Sequence, residues 1–307
     1  MRKPLHTLVL ALCLLPLASL AGPSNLPVAA DAQWYVHANV LEMRQTVAGQ
    51  QLYAWLDGEV FSEIEEELGI DLGKELDGVT VFGSGQGGHD AAVILHGFFS
   101  AQTREEVLAR INTEATMTVE SAYGRTYYRV SDPDALEDEE RRAKHAEAHF
   151  EGAELAFGDM GQTLITQDAE LMNEFLASGG HFAGSMPAGL LVIQAEHPLL
   201  QGGMDAQNLH LEGGPWESEM FQNVQQAALT IADDNGLVSI RAEVVAVDPM
   251  MADAISNIIQ GVVSLQALAN EDPEAAALLA NLKVTTEGTV VNMALSLEPE
   301  KIVEILD

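Results

Sequence analysis

Apolar and polar side chains alternate from Gln33 to Val40, with Trp34, Val36 and Ala38 set against Tyr35 and His37, which predicts a β-strand. The period then lengthens. Leu41, Ala48, Leu52, Trp55 and Leu56 fall on one helical stripe, and Val60, Ile64 and Leu68 on another. Strands are predicted at Val79–Gly83 and Ala91–Gly97, and a short helix at Thr103–Ile111. Met117–Ser121 and Arg125–Val130 read as a hairpin turning on Tyr123-Gly124. Leu155–Gly158 and Leu164–Thr166 read as a second hairpin, followed by a helix from Ala169 to Ala177.

Gly179–Gly189 is a turn-rich linker, after which the pattern restarts with the apolar strand Leu190–Ala195. Gln226–Ala232 and Leu237–Val247 flank Asp233-Asp234-Asn235-Gly236, the strongest hairpin signal in the chain. Pro249–Ala269 is apolar enough to suggest a membrane span. Its polar stripe of Asp253, Asn257, Gln260 and Ser264 instead predicts an amphipathic helix with one face buried. A further helix to Ala280 precedes the strands Leu282–Glu287 and Thr289–Leu297, and Pro299–Leu306 closes the chain as a helix.

Residues 79–130 and 229–297 share an order of hairpin, helix, hairpin, which suggests an internal duplication. In the last strand Val291, Met293, Leu295 and Leu297 take one face while Asn292, Ala294 and Ser296 take the other. Such alternation suits an antiparallel sheet with one wet face. The expected fold is therefore α+β, with two similar halves, each an antiparallel sheet of hairpins with helices packed on one face. The expected division is residues 1–21, 22–187 and 188–307, with a charged insertion at 132–151. An outer-membrane barrel fits poorly, because helices separate the hairpins.

The first segment carries its own pattern. Arg2 and Lys3 precede an apolar run from Leu8 to Ala21, too short to span comfortably, and Ser19-Leu20-Ala21 places small residues before a cleavage point. This predicts a signal peptide of residues 1–21 and a periplasmic or secreted mature chain with no stable membrane span. Cys13 lies inside the run behind Leu12, without the small residue that a lipoprotein signal needs. Cleavage removes this single cysteine, so thiol chemistry is not expected of the mature protein.

Charge narrows the partners. The 307 residues carry 14 Lys and Arg against 47 Asp and Glu, a net charge of −33. Nucleic acid is excluded, since its binding rests on Lys and Arg neutralising phosphates, and anionic lipid surfaces are disfavoured. The acids are spread over both halves, which reads as a surface suited to salt and not as a local acidic site. A hydrophobic fraction of 47% is ample for a core, so wholesale disorder is excluded.

Few motifs carry chemistry. Gly83, Gly85 and Gly88 match a dinucleotide spacing, but a strand follows where that motif needs a helix, so a hairpin turn is the better reading. His145 and His149 stand four apart and would share one helical face, a chelating pair for Zn²⁺ or Cu²⁺. Ala146 occupies the position of the metalloprotease glutamate, and a third ligand would come from His181, Glu151 or the acids of 136–140. The solvated face of a charged helix competes with that reading. No nucleophile elbow is present, and carboxylates this numerous give neighbours by chance, so no hydrolase acid pair is legible. His37, His89, His96, His197 and His210 are expected as ordinary core or surface residues, and no cofactor is expected.

The segments Ala30–Ala38 and Leu279–Leu297, the latter turning at Gly288, resemble a loose group of exported bacterial proteins assigned only to domains of unknown function. The resemblance implies export and a duplicated α+β fold, and no activity. The expected function is a non-catalytic binding or interaction protein, holding an unknown protein or a small apolar ligand between its halves. The Gly-rich segments 83–88 and 202–214 would be mobile rims. Metal binding by His145 and His149, and a hydrolase with an unrecognised acid pair, are the alternatives.

Overall fold

A computed structural model describes residues 27–62, 72–84, 91–131, 152–196, 223–269 and 273–306. In chain order the elements are β1 (Trp34–Ala38), α1 (Val40–Gln45), α2 (Val47–Leu56), a π-helical turn (Asp57–Phe61), α3 (Leu72–Glu75), β2 (Gly78–Gly83) and β3 (Ala91–His96). Next come α4 (Ala101–Glu114), β4 (Thr116–Ala122), β5 (Arg125–Ser131), β6 (Ala153–Phe157), β7 (Gln162–Thr166), α5 (Ala169–Ala177) and β8 (Leu191–Glu196). The chain finishes with β9 (Val224–Asp234), β10 (Leu237–Ala246), α6 (Pro249–Ala269), α7 (Pro273–Asn281), β11 (Lys283–Glu287), β12 (Val290–Leu297) and α8 (Pro299–Leu306). Helices and antiparallel strands together make an α+β fold.

The chain divides into two compact units, one joining Gln33–Trp55 to Pro187–Asp307 and the other built on Leu56–Met186. These units are discontinuous in sequence, unlike the expected segments 22–187 and 188–307. Gln33–Trp55 lies with the last part of the chain because β1 pairs with β8, setting Tyr35 opposite Gln194. The Tyr35 hydroxyl donates to Gln194 Oε1 at 3.2 Å. A second tie comes from Asp233, whose Oδ2 accepts the Ala48 N–H at 2.9 Å. Ala48 lies in the first turn of α2, where backbone donors have no partner within the helix.

In this first unit the strand order is β11-β12-β10-β9-β8-β1, with every neighbouring pair antiparallel. The turn between β9 and β10 uses Asn235 and Gly236 at φ 57° and 86°, the left-handed pair that matches strand twist. Asp233 Oδ1 accepts from the Gly236 N–H at 3.0 Å and closes it. Val238, Val244, Val291 and Met293 form the core, the alternate positions of β10 and β12. α6 packs on this core through Ala252, Ile255 and Ile259, and its expected polar stripe faces outward. The far end of α6 is exposed at Leu265 and Leu268. No helix among the described residues is long and apolar enough to cross a membrane.

β1 ends two residues earlier than expected, because Asn39 caps α1. Its Oδ1 accepts the Glu42 N–H and its Nδ2 donates to Glu42 Oε2, both at 3.0 Å. The predicted single stripe becomes two helices. Val40, Met43, Ala48 and Leu52 turn inward, while Leu41 remains 41% exposed.

The second unit has strand order β2-β3-β7-β6-β5-β4, again antiparallel throughout. Phe82 of β2, Phe175 of α5 and Phe182 of the following loop meet in its centre, the last two with ring centroids 5.4 Å apart. Gln162 clamps that loop by accepting the Phe182 N–H at 2.9 Å and donating to the Phe182 carbonyl at 3.2 Å. Asp168 caps α5 by accepting from Glu170 and Leu171, which explains why that helix has the expected bounds.

Candidate functional site

A groove of about 540 Å³ lies wholly within the second unit, between α4 and the β4–β5 hairpin. Its helical wall follows from spacing. Ala101, Arg104 and Leu108 stand at i, i+3 and i+7 and share a face of α4. That helix is only lightly buried, so its position depends on its first turn. Ser100 accepts the Thr103 N–H at 3.1 Å as N-cap. The Glu75 carboxylate accepts from the Ser100 N–H at 2.7 Å and the Thr103 hydroxyl at 2.9 Å, placing a negative charge at the positive end of the helix.

The floor is aromatic. Phe157 of β6 and Tyr128 of β5 meet edge to face with centroids 6.3 Å apart. Arg104 lies over Phe157, its Cζ 5.2 Å from the ring centroid, and its Nε donates to the Phe99 carbonyl at 3.1 Å. Across the groove Arg125 pairs with Asp159 at 2.7 Å. Behind it, Gly180 sits at φ 74°, and a Cβ there would lie 3.1 Å from Arg125 Nη1. Glycine thus lets the guanidinium rest against the backbone.

The rim is formed by Tyr123-Gly124 at φ 53° and 75°. A tyrosine rarely holds a left-handed conformation, and this one is 66% exposed against the groove. Two exposed carboxylates, Glu105 and Asp159, complete it.

A second cleft, of about 430 Å³, borders the charged network of β4, β5 and β6. Arg129 bridges the buried Glu154 and Glu120, each at 2.8 Å. Its hydrogen bond to Glu154 raises the guanidinium pKa further, and the bond from the Tyr127 hydroxyl to Glu120 raises that of Tyr127. Arg129 and the Tyr127 hydroxyl together satisfy both carboxylates, which suits a structural clamp.

Elsewhere, burial alone pushes Tyr35 up to about 12 and His37 down to about 4. His96 lies 2.7 Å from the Thr80 hydroxyl and is a core histidine, as expected. His181 sits beside Gly179 and close to Arg125, and its Nδ1 has no hydrogen-bond partner among the described residues. A guanidinium neighbour repels a metal cation. No cluster of three metal-ligating side chains occurs among the described residues. His145 and His149, Glu151, the acids of 136–140, His89, His197, His210, the segment 202–214 and all but Gly83 and Ser84 of 83–88 lie outside the described residues, as does the expected signal segment 1–21.

The groove escaped sequence reading because its parts come from α4, the β4–β5 turn and β6. The legible signal was the Ala101, Arg104, Leu108 stripe, together with a tyrosine in a turn position that favours Asn or Gly.

No family model matches the chain, and no curated protein matches it. Among solved structures it is similar to TP0453 in crystal forms I, III and IV. The TM-scores are 0.47, 0.48 and 0.49, at 9%, 9% and 11% identity, covering 94%, 94% and 92% of this chain and 97%, 98% and 96% of TP0453.

Proposed function

We propose that this chain is an exported protein, periplasmic or secreted, that binds a small ligand without transforming it, and that the α4–hairpin groove is its site. The carrying observation is the groove itself: an aromatic floor and two fixed guanidiniums, in a protein of net charge −33. Its volume falls in the range of small-molecule sites, and its lining joins aromatic rings to several charged and polar groups. The sequence expectation put the site between two halves, whereas this reading rests on a groove inside one unit. Export rests on the basic, apolar and small-residue order of 1–21.

The same reading takes the two units as variants of one plan. In each, a hairpin (β9–β10, β2–β3) leads through helix into later strands, the last of which (β12, β7) returns beside the hairpin. The second unit adds one strand pair, so the returning strand is β7 and not the partner of β4.

Native mass spectrometry of protein purified from its source tests the binding reading. A copurified small molecule, present in wild type and missing from Leu108→Trp, is expected. A molecule retained equally by that variant would place binding elsewhere.

A further inference from the structure

We infer that the groove selects a ligand with one carboxylate carried on a flat apolar body, and that Arg104 is the residue that receives the carboxylate. This inference rests on the reading of the groove as the binding site. The two guanidiniums differ in one respect. Arg125 is neutralised by Asp159 at 2.7 Å and held against Gly180. Arg104 is held as firmly, by the Phe157 ring on its face and the Phe99 carbonyl at its Nε, yet neither contact carries charge. Its terminal nitrogens have no partner among the described residues. A guanidinium with its plane fixed and its Nη edge open is pre-set for the paired N–H···O bonds a carboxylate accepts, and little side-chain entropy remains to be lost.

The other walls define the remainder of the ligand. Leu108, Tyr128 and Tyr123 offer flat or apolar surface within reach of Arg104. Rings on such a surface gain burial and edge or face contacts with the aromatics. Glu105 and Asp159 at the rim limit the ligand's charge: they repel a second negative charge, which disfavours phosphate esters and dicarboxylates.

The acidic surface adds a signature. An anion approaching this chain is repelled at long range, and salt screens that repulsion over about 10 Å at 0.1 M. The close contact with Arg104 is screened much less. Affinity is therefore expected to hold or rise from low salt to physiological salt, opposite to an anion bound by a basic surface.

The experiment is calorimetric titration of the purified full mature chain with 1-naphthoate, its neutral analogue 1-naphthamide and the dianionic 1-naphthyl phosphate. Naphthoate is expected to bind at least about tenfold more tightly than either, the worth of a charge-assisted hydrogen-bonded pair. Arg104→Gln should remove that advantage, so that naphthoate binds no more tightly than naphthamide, and Arg104→Lys, which keeps charge but loses the fork, should fall between. Circular dichroism checks that each variant is folded, and if the glutamine variant is not, the lysine variant and the three-ligand comparison in wild type still decide. Equal binding of naphthoate and naphthamide, or an undiminished preference in a folded Arg104→Gln, overturns the carboxylate inference and leaves the groove reading standing. If no probe binds up to roughly 5 mM, a binding free energy no better than about −3 kcal/mol, the carboxylate inference falls, and the groove reading stands or falls on the native mass spectrometry.

Discussion

The turns at Asn235-Gly236 and Tyr123-Gly124 have the same backbone geometry, with φ of 57° and 86° in one and 53° and 75° in the other. Their surroundings are opposite. The first joins β9 to β10 over a deep core and is closed by Asp233. The second joins two strands with few buried residues, β4 having none, and projects an exposed tyrosine into a groove. Asparagine tolerates the left-handed region because its short side chain bonds locally, whereas tyrosine gains nothing from it. The difference teaches where this protein places stability and where it accepts local strain.

The largest test contrasts the strand bodies. Ile240→Ala in β10, a position only 8% exposed, should cost about 3 to 4 kcal/mol in denaturant unfolding. Val119→Ala in β4, 67% exposed, should stay within about 0.5 kcal/mol. Similar costs for the two would erase the contrast.

The unit that holds β9 and β10 also buries His37 completely, with its folded value near 4 against the ordinary 6.5. Below pH 6.5 the unfolded chain gains a proton that the folded chain refuses, so this contribution is complete above pH 6.5 and is lost as pH falls toward 4. The total is about 3 kcal/mol. Urea unfolding at pH 7 and pH 4.5 should show a smaller pH loss for His37→Gln than for wild type. Parallel losses would assign the acid sensitivity to other groups.

Next comes the cap beneath the groove. Ser100→Ala should cost about 1 kcal/mol, the typical worth of a cap, because the Thr103 N–H loses its acceptor while Glu75 keeps its bonds to the Ser100 N–H and the Thr103 hydroxyl. The measurement is a thermal melt, and no shift would mean that α4 is held from elsewhere.

Exchanging the turn residues is the finest test. Tyr123→Asn should stabilise by about 1 kcal/mol and weaken ligand binding, while Asn235→Tyr should destabilise by a similar amount. If Tyr123→Asn stabilises and leaves binding untouched, the strain at that turn serves something other than the groove.

Much of the first level of structure was legible. α5, α6 and α8 have the expected bounds, α6 and α8 opening on Pro249 and Pro299, and the Asp233–Gly236 hairpin turns where its residues required. Local signals failed where a neighbour competed. Asn39 ends β1 by capping α1, and the cap at Ser100 extends α4 beyond the expected Thr103–Ile111. Pairing between distant strands has no local signature, so nothing in Gln33–Val40 announces β8 as the partner of β1. The groove was invisible for the same reason: Arg104, Tyr123 and Phe157 come together only through the pairing of β5 with β6 and the seating of α4.

The pairing of β1 with β8 has a consequence in time. A chain made from its N-terminus at about 5–20 residues per second presents β1 some ten to thirty seconds before β8 exists. During that interval Leu56–Met186 is made, and it is complete only a few residues before β8 emerges to join β1. The inserted unit is thus complete first. The surrounding unit is the one that waits, and its first strand is the segment most in need of a chaperone's protection.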